Sequence, residues 1–174
     1  MESSAEQTVR LEPWSEGDFG LVVRSNSEAM TDHLGGPESP EKLADRHRRY
    51  VELRDQGRMF KIVLPDGEPA GSIGYWAREW RGEPVWETGW GVFPEFQGRG
   101  IAAAAARLLV AYVREHGAAD EGGAPRRALH AYPSVDHPAS NAICRKAGFE
   151  LLGEVAFEYP KGNPLRSNDW RVLL

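Results

Sequence analysis

Several features that mark whole classes of protein are scarce in this chain. It has one cysteine, Cys144, in 174 residues. That excludes an internal disulfide framework and any cysteine-based zinc cluster, so no metal site is expected. No uncharged run approaches the roughly 20 residues of a bilayer span. Residues 1–7 hold neither a basic cluster nor an apolar run, so no secretory leader is read there, and a cytoplasmic protein off the membrane is expected. Only four lysines are present, and the net charge is −5. An acidic chain without a basic tract does not fit a general nucleic-acid binder.

What is present suits one globular domain. The hydrophobic fraction, 41%, is near the globular average, and the length can bury a sizeable core. There is no internal repeat and no linker-like stretch. Residues 1–7 read as a flexible tail and 8–174 as one domain.

Residues 8–14 alternate as a half-buried strand does. Ser15 follows as a helix N-cap, with Asp18 completing a capping box and Trp14 and Phe19 in staple positions. A Gly-Gly-Pro loop covers 31–38. Ser39-Pro40 then starts a second helix, with Leu43, His47, Tyr50 and Val51 on one stripe. Strands are expected at 58–64, 69–77 and 84–93, joined so tightly that they must run antiparallel. A long helix over 98–116 places Ile101, Ala105, Leu108, Leu109, Tyr112 and Val113 on one face. A strand at 127–132, a helix from Pro138 stopped by Gly148, and strands at 149–159 and 169–174 complete the chain. The order βααβββαβαββ implies an α/β (α+β) fold. Its mixed, mostly antiparallel sheet has six to seven strands and about four flanking helices.

The chemistry concentrates in residues 86–106. A strand ends at Pro94, a loop carries Gly98 and Gly100, and an alanine-rich helix begins. The glycines let the backbone approach a ligand closely. The helix start offers unpaired N–H groups and the positive end of its dipole, a site for phosphate or pyrophosphate. Gly98-x-Gly100-x-x-Ala103 also satisfies a dinucleotide-binding fingerprint. That fold, however, needs parallel βα units and an acidic residue at a later strand end. Here Asp120 and Glu121 fall in a Gly/Ala-rich loop.

Gln97-Gly98-Arg99-Gly100-Ile101-Ala102 is similar to the Q/R-x-x-G-x-G/A signature of GNAT-fold N-acetyltransferases. Phe93-Pro94-Glu95-Phe96 before it matches the family's lead-in. The block from Ser140 and Asn141 to Lys146, Gly148 and Phe149 resembles the family's second conserved segment. The loop around Leu34-Gly35-Gly36-Pro37 resembles the RimJ/RimL-type branch. The resemblance spans 8–174. It implies transfer of an acetyl group from acetyl-CoA, as co-substrate, to an amine by direct attack. The acceptor would be a protein N-terminus or a small-molecule amine, and the protein a monomer or homodimer. A non-catalytic acetyl-CoA sensor is the alternative.

The resemblance also implies site residues. Gln97, Gly98, Arg99, Gly100, Ile101, Ala102 and Ala103 would hold the CoA pyrophosphate. Trp90, Gly91 and Val92 would pair with its pantetheine arm, and Ser140 would contact the cofactor. The Val92 backbone N–H would stabilise the oxyanion. Glu87, on the strand leading to the acetyl site, is the candidate base, with His33 a second. Cys144 stands where many members carry a tyrosine acid, and His137 stands where they often have asparagine. Trp76, Trp80, Trp86 and Trp90 cluster about the central strands, some as core and some as possible lining of an acceptor pocket. Segments 31–37, 76–80 and 159–168 are expected to complete that pocket.

Overall fold

A computed structural model describes residues 9–32, 35–117, 125–158 and 161–174. Among these residues seven strands form one sheet in the order β1-β2-β3-β4-β5-β7-β6. The strands are β1 (Arg10–Pro13), β2 (Gly57–Val63), β3 (Pro69–Trp80), β4 (Glu83–Val92), β5 (Ala128–Ala131), β6 (Glu150–Glu158) and β7 (Pro164–Leu173). Five α-helices accompany them: α1 (Phe19–Arg24), α2 (Glu28–Thr31), α3 (Pro40–Val51), α4 (Ile101–His116) and α5 (Pro138–Lys146). Every strand pair is antiparallel except β4 with β5, which is parallel. The expected fold class is the one found.

The period-two alternation of strands puts two different packings on the two faces of the sheet. One face meets α4 and α5. Phe60, Ile62, Ile73, Tyr75, Trp86, Leu129 and Trp170 bury there against Ile101, Ala105, Leu109 and Val113 of α4. Alanines at 103–106 let α4 lie close to the sheet, and all four are buried. The other face, over β1–β3, is covered by the N-terminal helices through Trp14, Val22, Leu43 and Met59. The capping box is present, with the Ser15 N–H donating to Asp18 Oδ2 at 2.8 Å. The two staple residues meet through a third ring. Trp14 donates from Nε1 to His47 Nδ1 at 3.1 Å, and Phe19 packs edge-on to the same imidazole at 5.4 Å.

Three elements differ from the sequence-based expectation. A four-residue helix, α2, lies in the connection before the 31–38 loop, capped by the Ser27 side chain. The β3–β4 hairpin is tighter than expected. Trp80 pairs with Glu83, and Arg81 and Gly82 both take positive φ (52° and 80°), as in the type I′ turns that match strand twist. β7 begins at Pro164 rather than Asp169. Pairing of Glu158 with Pro164 and of Val155 with Ser167 overrides the weak strand propensity of Pro, Asn and Ser.

β3 approaches β4 closely where the site begins. An added Cβ at Gly71 would lie 2.0 Å from the Gly91 carbonyl oxygen and 2.9 Å from Val92 Cα. Gly71→Ala is therefore expected to cost about 1–3 kcal/mol of stability, the range typical of overpacking. Thermal unfolding checks this: an unchanged midpoint would show that the two strands can separate freely there.

Candidate active site

The parallel pair β4–β5 is short. Only Trp86, Thr88 and the residue between them, Glu87, have partners on β5: Leu129, Ala131 and His130 respectively. β5 ends there, whereas β4 continues to Val92. Residues 89–92 therefore form an edge that no described strand covers. The alternation of antiparallel bonds decides which groups face this gap. The Phe93 N–H binds the Ala70 carbonyl at 2.8 Å. Stepping back by twos, Gly91 and Gly89 also direct their N–H and C=O groups to β3. Trp90 and Val92 direct theirs into the gap. The Val92 carbonyl is held by Gln97 Nε2 at 2.9 Å. That bond and the Phe93 N–H on Ala70 fix the Val92–Phe93 peptide; the Val92 N–H belongs to the preceding peptide, whose Gly91 carbonyl is turned to β3, and so it faces the opening.

Gly91 thus has a role different from its two neighbours. Its backbone groups serve the sheet, and its missing side chain admits α2. Met30 Cε lies 3.2 Å from where a Cβ would stand. Gly89 similarly leaves room for the Trp76 indole, 3.0 Å from its ideal Cβ.

After β4 the chain makes a 3₁₀ turn, Pro94–Phe96, that buries Phe96. Glu95 in this turn is paired with Arg24, the last residue of α1, whose guanidinium also sits 3.9 Å over the Phe93 ring. The lead-in to α4 is therefore tied to the N-terminal helices. Gly98 and Gly100 have φ of 78° and 75°, a region that L side chains avoid, and a Cβ at either would point into open space. Gly100 caps α4, and the first intrahelical bond runs from the Ala104 N–H to the Gly100 carbonyl at 3.1 Å. The N–H groups of Ile101, Ala102 and Ala103 precede that bond and remain free for a ligand. Arg99 is exposed beside them. Backbone donors, helix dipole and one arginine are chemically suited to an anion directly beyond the free edge of β4.

The other face of the opening is polar and aromatic. The Glu87 carboxylate accepts from Arg78 Nη1 at 2.5 Å. Arg78 is itself ringed by Tyr132, Phe157 and Trp80, with centroids 4.8, 5.0 and 5.2 Å from its Cζ. His130 lies beside Glu87 in strand register and is bonded through Nδ1 to Asp169 Oδ1 at 2.7 Å. Trp80 Nε1 donates to the other Asp169 oxygen at 3.1 Å. The 39-residue separation of His130 and Asp169 hid this pair from the sequence. Asn141 is named by the second conserved block, but its partners are not legible there. Its Oδ1 accepts from Asn168 and Trp170 at 2.8 Å each, and its Nδ2 donates to the Ser134 and His137 carbonyls at 2.9 Å, pinning the start of α5 to β7.

The remaining expected residues fall as follows. Ser140 is half-buried in the first turn of α5. Cys144 is fully buried in the α4-side core, and burial pushes its thiol up to about 12, weakened as a proton donor and closed from solvent. Of the tryptophans, Trp86 is core, Trp90 is half-buried at the gap, and Trp76 and Trp80 lie on the polar face. His33, Leu34, Tyr159 and the tail 1–7 lie outside the described residues. Among the described residues no helix is long and apolar enough to cross a membrane.

A strand that outruns its parallel partner, followed by a glycine-capped helix start, is matched by a family description. The acetyltransferase (GNAT) domain matches residues 8–150. The chain belongs to that family. No curated protein sequence matches it. Solved structures share the fold. RimL, a ribosomal L7/L12 alpha-N-protein acetyltransferase, is 23% identical in its apo form, covering 100% of this chain and 93% of its own, with a TM-score of 0.76. An acetyl transferase from Salmonella typhimurium, described as modifying the N-terminal serine of ribosomal protein L7/L12, is 21% identical over 98% of this chain and 97% of its own, TM-score 0.74. An aminoglycoside acetyltransferase in complex with coenzyme A and kanamycin is 20% identical over 95% of each chain, TM-score 0.74.

The placement of Cys144 has a direct consequence. In the folded protein it should resist Ellman's reagent at pH 8, and one equivalent should react once denaturant is added. Rapid reaction of the native thiol would contradict its burial.

Proposed function

We propose that the protein transfers the acetyl group of acetyl-CoA to a primary amine by direct attack in a ternary complex. The observation that carries this reading is the continuity of the free β4 edge with the glycine-capped start of α4. A long extended thioester with a pyrophosphate at one end needs both, at one strand's distance from each other. The residues fit that ligand. The free N–H groups at 101–103, with Arg99 beside them, suit the pyrophosphate. The backbone groups of Trp90 suit the amides of the arm, as a further strand would. Ser140 stands on α5, the helix that follows β5.

Acetyl-CoA supplies an acetyl group already activated as a thioester. Little more than positioning is then asked of the protein. The Val92 N–H, its peptide held by β3 through the Gly91 carbonyl, is the donor for the oxyanion that develops at the carbonyl. The amine approaches from the face bearing Arg78, Glu87 and His130. The Glu87 carboxylate is engaged by Arg78, so its part is to keep that guanidinium in place and to set the local charge. Cys144 is given no part in proton transfer. The acceptor is a protein N-terminus or a small-molecule amine. Both classes appear among structural neighbours, and fold does not choose between them.

Release of free thiol from acetyl-CoA over a panel of amines and N-terminal peptides tests the reaction. Binding of acetyl-CoA without release on any acceptor would favour a sensor instead. Gly100→Val should weaken coenzyme A binding about ten-fold or more, as positive φ and the new side chain both disturb the anion site. Gly67→Val supplies the control, because Gly67 also has positive φ and open space but sits in the β2–β3 turn. Equal affinities for the two variants in calorimetry would remove the α4 start from the binding site.

A further inference from the structure

The acetyltransferase reading places His130 on the acceptor's face but gives the buried His130–Asp169 pair no chemical part, and its placement is unusual for a structural pair. His130 is 4% exposed and Asp169 2%. Burying a carboxylate costs free energy unless its oxygens are satisfied, and both are. One is bonded by His130 Nδ1 at 2.7 Å, the other by Trp80 Nε1 at 3.1 Å. The pair lies where β5 ends and β4 runs on alone, so His130 is the last residue but one before the strands part. Its neighbour in register is Glu87, whose carboxylate is already occupied by Arg78. Tyr132, the first residue past β5, stacks on the imidazole with centroids 5.7 Å apart and planes 15° apart. The Tyr132 hydroxyl is buried without a hydrogen-bond partner among the described residues. Such a group is expected to meet a water or a ligand atom.

We infer that His130, oriented by Asp169, is the group that takes the proton from the acceptor's ammonium, and that Tyr132 contacts the acceptor beside it. The inference rests on the acetyltransferase reading. Asp169 accepts a hydrogen bond from Nδ1–H and so fixes one tautomer, leaving the lone pair on Nε2. The protonated amine R–NH3+ gives one proton to Nε2. The freed nitrogen lone pair forms the C–N bond to the acetyl carbon, and the C–S bond breaks with its electron pair leaving on sulfur. The nitrogen's surplus proton passes to that sulfur to give the thiol, and the proton on His130 returns to water. The charged and titratable groups around the imidazole are Asp169 and Arg171 on β7, Glu87 on β4, Arg78 on β3 and the Tyr132 phenol. Asp169 is a positioning residue: it acts through His130 and not on the substrate.

The test uses the full chain and an acceptor found in the thiol-release panel. His130→Asn keeps an N–H donor for Asp169 but cannot take a proton. Its turnover should fall about a hundred-fold, the usual contribution of a general base. The rise of log kcat with pH seen in the wild type should vanish, and calorimetric affinity for coenzyme A should stay unchanged. Asp169→Asn should lower kcat more than it raises the acceptor KM, because the ring loses its orientation rather than the acceptor its contacts. Should His130→Asn not fold, the wild-type imidazole can be titrated by nitrogen-15 NMR. Agreement between that titration and the kinetic limb supports the inference, and disagreement overturns it. A His130→Asn enzyme with wild-type turnover and pH profile would overturn it too. So would loss of the limb in Glu87→Gln with the limb retained in His130→Asn. If the wild type binds coenzyme A but releases thiol with no amine, the acetyltransferase reading itself falls, and the His130 inference with it.

Discussion

The structure turns on the parting of β4 from β5. A parallel pair that stops after Thr88 leaves the N–H and C=O groups of Trp90 and the N–H of Val92 facing a gap instead of a neighbouring strand. An exposed strand edge is ordinarily a hazard, because it invites pairing with another chain. Here it lies inside the sheet rather than at its rim, walled by α4 and α5 on one face and by the aromatic cluster on the other. The neighbouring features keep this opening in shape. Gln97 fixes the Val92 carbonyl, Arg24 anchors Glu95, and Asn141 ties α5 to β7 so that the second wall does not drift. Gly71 and Gly91 let β3 and α2 come close behind the edge without straining it.

The two faces of the sheet divide the labour. The face against α4 is apolar and closely filled, and Cys144 belongs to it. The face over β4, β5 and β7 instead buries charge. The buried Asp169 carboxylate and the half-buried Arg78–Glu87 pair are costly to desolvate, and such groups seldom add stability compared with a hydrophobic replacement. Three aromatic rings around Arg78 offset part of the cost through cation–π attraction. A half-buried ion pair and a buried imidazole–carboxylate hydrogen bond thus lie together on this one face.

What could be read from the sequence follows physical range. Local rules located nearly everything local: the capping box at Ser15, the Pro40 helix start, the Gly148 stop and the meander β2–β4. The glycine pair at 98 and 100 was legible because positive φ leaves a chemical trace in the choice of residue. Long-range pairings left no such trace. Nothing in the strand at 127–132 singled out His130, since its partner Asp169 enters from β7. The early start of β7 was hidden for the same reason, because pairing with β6 overcame local propensity. Glu87 was picked out by its strand position, but its attachment to Arg78 across the hairpin decides what it is free to do. An alternation count would have placed Arg78 and Glu87 on one face, yet it could not have shown that three rings hold the guanidinium there.

The register of one strand links both halves of the site. Parallel pairing aligns Glu87 with His130 and sends the backbone groups of the even-numbered residues of β4 toward β5. The same alternation therefore puts the Val92 N–H in the gap and the side chains of Glu87 and His130 on the face away from α4. A slip by one residue would exchange the two sets. It would bury the donor against β3 and turn the polar side chains into the α4 core. The gap-facing Val92 N–H and the polar face of Glu87 and His130 are thus not independent features of the sequence. They are consequences of one register, held by the buried Thr88 hydroxyl on the Gly74 carbonyl at 2.7 Å and by Trp86 against the α4 core.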